Sequence, residues 1–408
     1  MLRSLSLATI AIVSSAYAEL SIKIGVLNDR AGISSEITGE GSVVAAQMAV
    51  EDFQAAQKGI QVEIISADHQ NKPDVGAGIA RRWYDIDGVD VIADVPISSV
   101  ALAVSQLTRD KNKIALFSGP GASELTGAQC SPNSVLCSYD TWSLANASGR
   151  AIVQQGGDTW FFVAVDCVFG RALQRDTSDV VAASGGKVLR SVRHPLSASD
   201  FSSFLLQAQA SKAKIIGLAT AGTDLSTAVK QAAEFGIVQG GQKLAGLVTF
   251  ISEVHALGAG AAQGLLVTES FYWDMDEPRR AWSKRFASRN GGKAPTSIQA
   301  GVYSSILHYL KAIEALKDKD PTKVMAWMKG NPTDDILFSK GQVRADGPKI
   351  HDMYLFEVKK PSEAKGEWDL YKLVATIPAN EAFRLLKEGG CPPREELSRR
   401  SEQIRAVS

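Results

Sequence analysis

Val89-Asp90-Val91-Ile92-Ala93, then Asp94-Val95-Pro96-Ile97-Ser98-Ser99, then Val100, Val104 and Leu107, then Ile114-Ala115-Leu116-Phe117: these decide the fold of the 408-residue chain. The first run reads as a short buried strand. The i, i+4, i+7 spacing of Val100, Val104 and Leu107 predicts a helix, with Ser98 or Ser99 as its N-cap. Ile114 to Phe117 is a second strand, ending in Ser118-Gly119-Pro120-Gly121-Ala122-Ser123. Both strands finish in small, hydroxyl-rich loops. Backbone N–H groups at a helix start attract an anion, and glycines let a ligand approach the main chain. Ligands of parallel sheets bind outside the carboxyl ends of the strands. The two loops, with Ser98, Ser99, Ser118, Gly119, Gly121 and Ala122, therefore read as half of a small-molecule site. The plainer alternative is a pair of ordinary βα connections.

Outward from this stretch the β-α rhythm continues. Toward the N-terminus, Ser21 to Leu27 alternates like a strand, Val43, Ala46, Val50 and Phe53 mark a helix, Gln61 to Ile65 is a strand, and Pro73 opens another helix. Residues 128–158 break the rhythm, with a turn at Ser131-Pro132-Asn133-Ser134, a crossover near Tyr139 and a helix from Trp142 to about Gln155. The pattern then restarts. Strands are expected at Thr159–Val165, Lys187–Val192, Ile215–Ala219, Leu244–Val248 and Leu265–Thr268, with helices from Gly170, from Asp200 and after Gly222-Thr223. A second crossover lies near Glu269 to Trp273, followed by helices at about Arg279–Arg289, Ile298–Ala315 and Thr322–Met328. Met353–Val358 and Tyr371–Ile377 read as antiparallel edges to one sheet. Alternating strands and helices imply parallel sheets with helices on both faces. The fold expected is α/β: two doubly wound parallel-sheet lobes joined by a hinge of two or three crossing strands, with a cleft between them that closes on a ligand.

The totals narrow the function. Forty-four Lys+Arg balance 44 Asp+Glu, so no global field favours nucleic acid or an anionic membrane. Arg3, the apolar run Leu5–Val13 and Ala16-Tyr17-Ala18 match an export leader with its cleavage site, so residues 1–18 are expected to be removed and the product to begin at Glu19. No later apolar run approaches the ~18 residues that span a bilayer. An exported chain can hold disulfides. Cys130, Cys137, Cys167 and Cys391 show no C-x-x-C spacing, and four cysteines allow three full pairings. A staple from Cys130 to Cys391 leads, and a local Cys130–Cys137 link is the alternative.

Catalytic groupings are missing. The chain has no G-x-S-x-G, H-E-x-x-H or phosphate-binding P-loop, and its glycines miss dinucleotide spacing. Ser211-Lys212-Ala213-Lys214 fits S-x-x-K by letter only, and the five histidines lack metal-ligand spacing. No enzyme, cofactor or metal is expected.

Several segments carry a resemblance in their order and spacing. Ile24-Gly25-Val26-Leu27 through Ala31-Gly32 to Gly39, Ala122-Ser123-Glu124-Leu125-Thr126, Tyr139-Asp140 and Asp166-Cys167-Val168-Phe169-Gly170 resemble periplasmic leucine/isoleucine/valine-type binding proteins of ABC importers. Within that family the chain is similar to the branch associated with aromatic acids and related small organic molecules. The resemblance implies a type I periplasmic binding (Venus-flytrap) fold, its two lobes joined by a three-stranded hinge. Its first lobe would comprise 19–139 and 274–348 and its second 140–273 and 349–378, with 379–408 as a tail packed near the hinge and frayed at its end. It also implies a ligand carboxylate held by Ser98, Ser99, Gly119, Gly121 and Ala122, with Phe169, Ala221, Gly222 and Thr223 brought in from the second lobe. The expected partners are that ligand and the permease and ATPase subunits of an importer, met by a monomeric periplasmic receptor.

The departures from the family are informative. Amino-acid binders place a carboxylate after the strand that here ends at Leu247-Val248, where this chain has Thr249-Phe250, with Glu253 further on. That argues against an ammonium ligand, with Asp94, Asp166 and Asp224 as the candidates to substitute. Phe169 stands where amino-acid binders often have tyrosine, and Ser34-Ser35 where an aromatic is common. Trp142, Phe169, Phe250, Phe271, Tyr272 and Trp273 are expected to wall the cleft around an apolar ligand body, core packing being the alternative for each. A branched-chain amino-acid or amide receptor of the same fold is the second reading, and a secreted α/β enzyme the third.

Overall fold

The computed structural model describes residues 20–392, which form three sheets. The expected leader with Glu19, and the end of the tail, residues 1–19 and 393–408, lie outside the described residues. The first sheet comprises β1 (Leu20–Asn28), β2 (Ile60–Asp68), β3 (Val91–Asp94), β4 (Ile114–Phe117) and β5 (Ser134–Leu136), in the order β2-β1-β3-β4-β5. All its pairings are parallel. Helices α1 (Gly39–Phe53), α2 (Pro73–Asp85) and α3 (Ser98–Asp110) connect these strands. Successive side chains of a strand face opposite ways. Val91 and Ala93 therefore join the core that contains α1, while Ile92 joins the core that contains α2 and α3.

After β5 the chain enters a second α/β unit. It runs through α4 (Thr141–Gln154), β6 (Thr159–Val165), α5 (Val168–Ala183), β7 (Lys187–His194), α6 (Ser202–Ala210), β8 (Ile215–Ala219), α7 (Thr223–Glu234), β9 (Lys243–Gly246), α8 (Ile251–Leu257), α9 (Ala259–Ala262) and β10 (Leu266–Glu269). It then returns to the first unit. There α10 (Glu277–Arg289), α11 (Ser297–Leu316) and α12 (Pro321–Gly330) follow, and β11 (Pro332–Asp335), β12 (Ser339–Val343) and β13 (Lys349–Ile350) form a small antiparallel sheet. Finally β14 (Met353–Val358) and β15 (Tyr371–Ile377) complete the second sheet, ordered β15-β14-β10-β9-β8-β6-β7, and α13 (Ala379–Ala382) follows. β14 and β15 are antiparallel, so this sheet is mixed at one edge. The chain passes between the units at 137–140, 270–276 and 351–352, and none of these segments belongs to a strand.

Three local expectations need correction. Neither Ser98 nor Ser99 is the N-cap of α3. Ile97 is, in an extended conformation, and Ser98 is the first helical residue. The Ser98 hydroxyl turns instead to the neighbouring loop, where it accepts the Ala122 N–H at 3.2 Å. Helix α5 starts at Val168 rather than Gly170, because extended Cys167 already occupies the N-cap. The turn at Ser131–Ser134 is present, its Ser134 N–H donating to the Ser131 carbonyl at 3.4 Å, and Ser134 also opens β5. The sheet β11–β13 had no counterpart in the sequence reading, since its strands lack apolar alternation.

Cys130 and Cys391 are joined, with an S–S distance of 2.02 Å across a sequence separation of 261. The alternative link is not formed, since Cys137 is buried as a free thiol. No helix among the described residues is long and apolar enough to cross a membrane.

Candidate functional site

A cavity of about 200 Å³ lies between the two units, where the carboxyl ends of their strands face each other. Its first wall is the loop after β3 (Pro96, Ile97, Ser98, Ser99) and Gly119 after β4. Its second wall is Val165 and Phe169 from β6–α5, Thr220 and Ala221 after β8, and Val248 and Phe250 after β9. Tyr139, from the first crossing, lies between the walls. Its hydroxyl donates to the Gly119 carbonyl at 3.0 Å, and its ring sits 6.1 Å from that of Phe250.

Helix starts dominate the polar character of the cavity. Ser98 and Ser99 are the first residues of α3, Val168 and Phe169 the first of α5, and Ala221 precedes the start of α7 by two positions. The opening N–H groups of a helix have no intrahelical carbonyl and form its positive end. The remaining walls are hydroxyls, the Asn71 amide, the Cys167 thiol, aromatic rings and aliphatic side chains. No charged side chain among the described residues lines the cavity.

The predicted site residues divide. Ser98, Ser99, Gly119, Phe169, Ala221 and Phe250 line the cavity. Ser118, Gly121, Ala122, Gly222 and Thr223 lie on the same loops but do not line it. The Ala122 N–H is taken by Ser98, and the Gly222 N–H is donated to the Glu253 carboxylate. Gly121 serves contact between the units, because a Cβ there would lie 2.8 Å from Cε2 of Phe169. Gly222, at φ +69°, faces the Ile33 carbonyl from the opposite unit, 2.7 Å from where a Cβ would be.

Trp142 and Tyr272 are not at the cavity. Tyr272 packs in an aromatic group with Tyr371 and Phe356, ring centroids 5.0 and 5.4 Å away. Trp142 lies under the Arg384 guanidinium at 5.6 Å, Phe271 packs on Trp282, and Trp273 donates its indole N–H to the Trp368 carbonyl. Sequence reasoning missed Thr220, Val248 and Ile298 as wall residues and took Tyr139 only as a crossover. The β-ends before Thr220 and Val248 were the available signal.

Asp94, Asp166 and Asp224 do not line the cavity either. Asp166 pairs with Arg171 at 2.9 Å, and Asp224 accepts the Ser197 N–H at 2.9 Å. Asp94 is fully buried and accepts the Asn28 amide at 3.1 Å. Glu253 is also buried and accepts the Phe250 N–H at 2.7 Å. Burial pushes Asp94 up to about 7 and Glu253 up to about 8, and it drives Glu269 well above the carboxylate range. All three carboxyls act on Tyr139 in the cavity wall. The sign of the stability effect follows. The unfolded chain releases these protons near pH 4 while the folded protein keeps them, so the contribution of these carboxyls falls as pH rises from about 4 to about 8, against the buried histidines His69, His194, His308 and His351, whose lowered values make theirs rise up to about 6.5. Relative to the wild type, the denaturation midpoints of Asp94→Asn and Glu253→Gln should shift upward as pH rises across that range. Equal slopes in all three proteins would refute the assignment.

A second, larger groove of about 1380 Å³ runs between α12 and β12. It includes Asn112 and Asn133, on the amino side of β4 and β5, and so lies away from the strand ends that form the site.

The sequence model of the periplasmic binding protein family matches residues 21–366. The chain belongs to that family. A periplasmic binding protein from Burkholderia mallei is 50% identical, with a TM-score of 0.88, covering 91% of this chain and 98% of that one. A branched-chain amino acid ABC transporter periplasmic ligand-binding protein from Burkholderia xenovorans LB400 is 40% identical, with a TM-score of 0.83 and coverage of 91% and 99%. The Leu/Ile/Val-binding protein homolog 6 of Brucella abortus is 24% identical over 372 residues, 86% of this chain and 90% of its own length. An R. palustris ABC-transporter solute-binding protein in complex with benzoate shares the fold, at 17% identity and a TM-score of 0.78, covering 88% of this chain and 97% of its own. The type I periplasmic binding fold accounts for the two facing sheets. The chain is a substrate-binding protein of the kind that serves ABC transporters, not an enzyme.

Proposed function

We propose that this periplasmic binding protein captures a small organic carboxylate with an aromatic or apolar body and passes it to the permease and ATPase subunits of an importer. One observation carries the reading. The cavity is walled by apolar and hydroxyl groups with one amide, Asn71, and one thiol, Cys167, is faced by the starts of α3 and α5, and has no anionic side chain on its wall. A carboxylate finds N–H and O–H donors there. An ammonium would be buried without a partner. Residues 1–18 act as a cleaved export leader and the receptor works as a monomer in the periplasm. Its lobes are 19–139 with 274–348 and 140–273 with 349–378, save that β13 (Lys349–Ile350) stays with the first lobe through its pairing to β12, and the hinge lies at the crossings.

Thermal-shift screening of aromatic acids, aliphatic acids, amino acids and amides tests the ligand class. Benzoate, the ligand of the R. palustris protein, is the first compound to try. Organic acids should raise the melting temperature and leucine, isoleucine and valine should not. The descriptions of the B. xenovorans and Brucella relatives favour a second reading, a branched-chain amino-acid receptor. A shift with those amino acids and none with the acids would establish it instead.

Two substitutions probe the walls. Ser98→Ala with Ser99→Ala should weaken the acid by about 1–3 kcal/mol per lost charged hydrogen bond, read by calorimetric titration. Unchanged affinity would remove the serines from the site. Gly121→Val places side-chain atoms against Phe169, so the halves meet poorly. It should bind the acid at least about tenfold more weakly, through a smaller closed population, while melting unliganded near the wild-type temperature. Full affinity in Gly121→Val would show that this contact is not needed for closure.

A further inference from the structure

The chain makes a fourth passage between its two units. Helix α13 packs on α4 of the second unit, where the Asn146 amide donates to the carbonyls of Glu381 and Ala382. One residue later the environment changes. Phe383 stands edge-on to His351, in the third crossing, at 5.4 Å. The Arg384 carbonyl accepts from Arg344 at 2.6 Å, and the Arg384 guanidinium reaches the Ser123 carbonyl at 3.4 Å, both in the first unit. Gly389 presses its carbonyl onto Gly127, 2.5 Å from where a Cβ would be, and Cys391 is bonded to Cys130. Residues 379–383 are therefore seated on one unit and 385–391 on the other, beside the third crossing, and Arg384 stands between them, its carbonyl held by Arg344 while its guanidinium also lies over the Trp142 ring of α4 at 5.6 Å.

We propose that residues 379–391 are a covalently anchored strap that limits how far the lobes open. The other three crossings lead onward into each unit and cannot slip. A chain end held only by hydrogen bonds could peel off as the cleft widens. The disulfide removes that freedom, so opening must stretch the short passage between Phe383 and Arg384. The bond thus sets the geometry of the ligand-free receptor as well as tying down a loose end. This rests on the reading of the protein as a hinged solute receptor.

The test is small-angle scattering of ligand-free protein, with melting curves to establish that each variant folds. One variant carries Cys130→Ser and Cys391→Ser. The other keeps the disulfide and inserts a Gly-Ser segment between Phe383 and Arg384, which leaves both anchors in place and gives the passage slack. Both should show a larger ligand-free radius of gyration than the wild type. A wild-type radius in the folded insertion variant overturns the strap, whatever the double-serine variant does. The comparison needs no ligand. Failure of every organic acid to bind would sink the carboxylate reading and leave this result standing.

Discussion

Lys349→Ala should destabilise the protein by about 3–5 kcal/mol, the cost of leaving a buried carboxylate without its cation. Lys349 is 2% exposed. Its ammonium lies 3.0 Å from Asp335 Oδ2, donates to the Ser304 hydroxyl and sits 4.4 Å above the Phe338 ring. The pair ties the small sheet to α11. Burial would raise the Asp335 carboxyl, but the Lys349 ammonium and the Phe338 N–H overcome it and hold it at about 2. The sign is that of a depressed acid. The stabilisation is complete above the unfolded value near 4 and is lost as pH falls toward about 2. The ion pair is not irreplaceable. Lys349→Met with Asp335→Asn keeps an acceptor for the Leu337 and Phe338 N–H groups, each donating to Oδ1 at 2.9 Å, and removes both charges. It should recover much of the loss. Urea midpoints of the three proteins check this, and a wild-type midpoint for Lys349→Ala would contradict it.

Cys130→Ser with Cys391→Ser should lower stability by about 2–5 kcal/mol. The bond closes a loop with a sequence separation of 261, so in the chain-entropy account the unfolded state loses much of its freedom. The double variant avoids an orphan thiol. Its urea midpoint should fall toward that of the wild type unfolded in reductant, and coincidence of the oxidised wild type with both would contradict the prediction.

What the sequence disclosed follows from how strong each local pattern is. Thr159–Val165, Ile215–Ala219, Met353–Val358 and Tyr371–Ile377 are strands at the expected limits, since aromatic and β-branched runs bounded by turn residues leave few alternatives. The β11–β13 sheet escaped notice. Pro332-Thr333-Asp334-Asp335 carries no apolar alternation, and its order comes from tertiary contacts such as Lys349–Asp335. At the cavity, strand ends identified loops but not which atoms remain available. Ser98 could be placed there, yet nothing local shows that its hydroxyl occupies the Ala122 N–H. Aromatics near crossings were the weakest guide. Nothing in the residues around Tyr272 says that it turns toward Tyr371 rather than the cleft. Glu253 was noted only as displaced from the family position, whereas its role is to hold the Gly222 and Phe250 N–H groups.

A crystal structure grown with the organic acid that gives the largest thermal shift tests the central claim most directly. The acid should lie between Gly119 and Phe250, its carboxylate within hydrogen-bonding reach of Ser98 or Ser99 and its body against Phe169. An acid bound outside this cavity, or one whose carboxylate points away from the start of α3, would contradict the account.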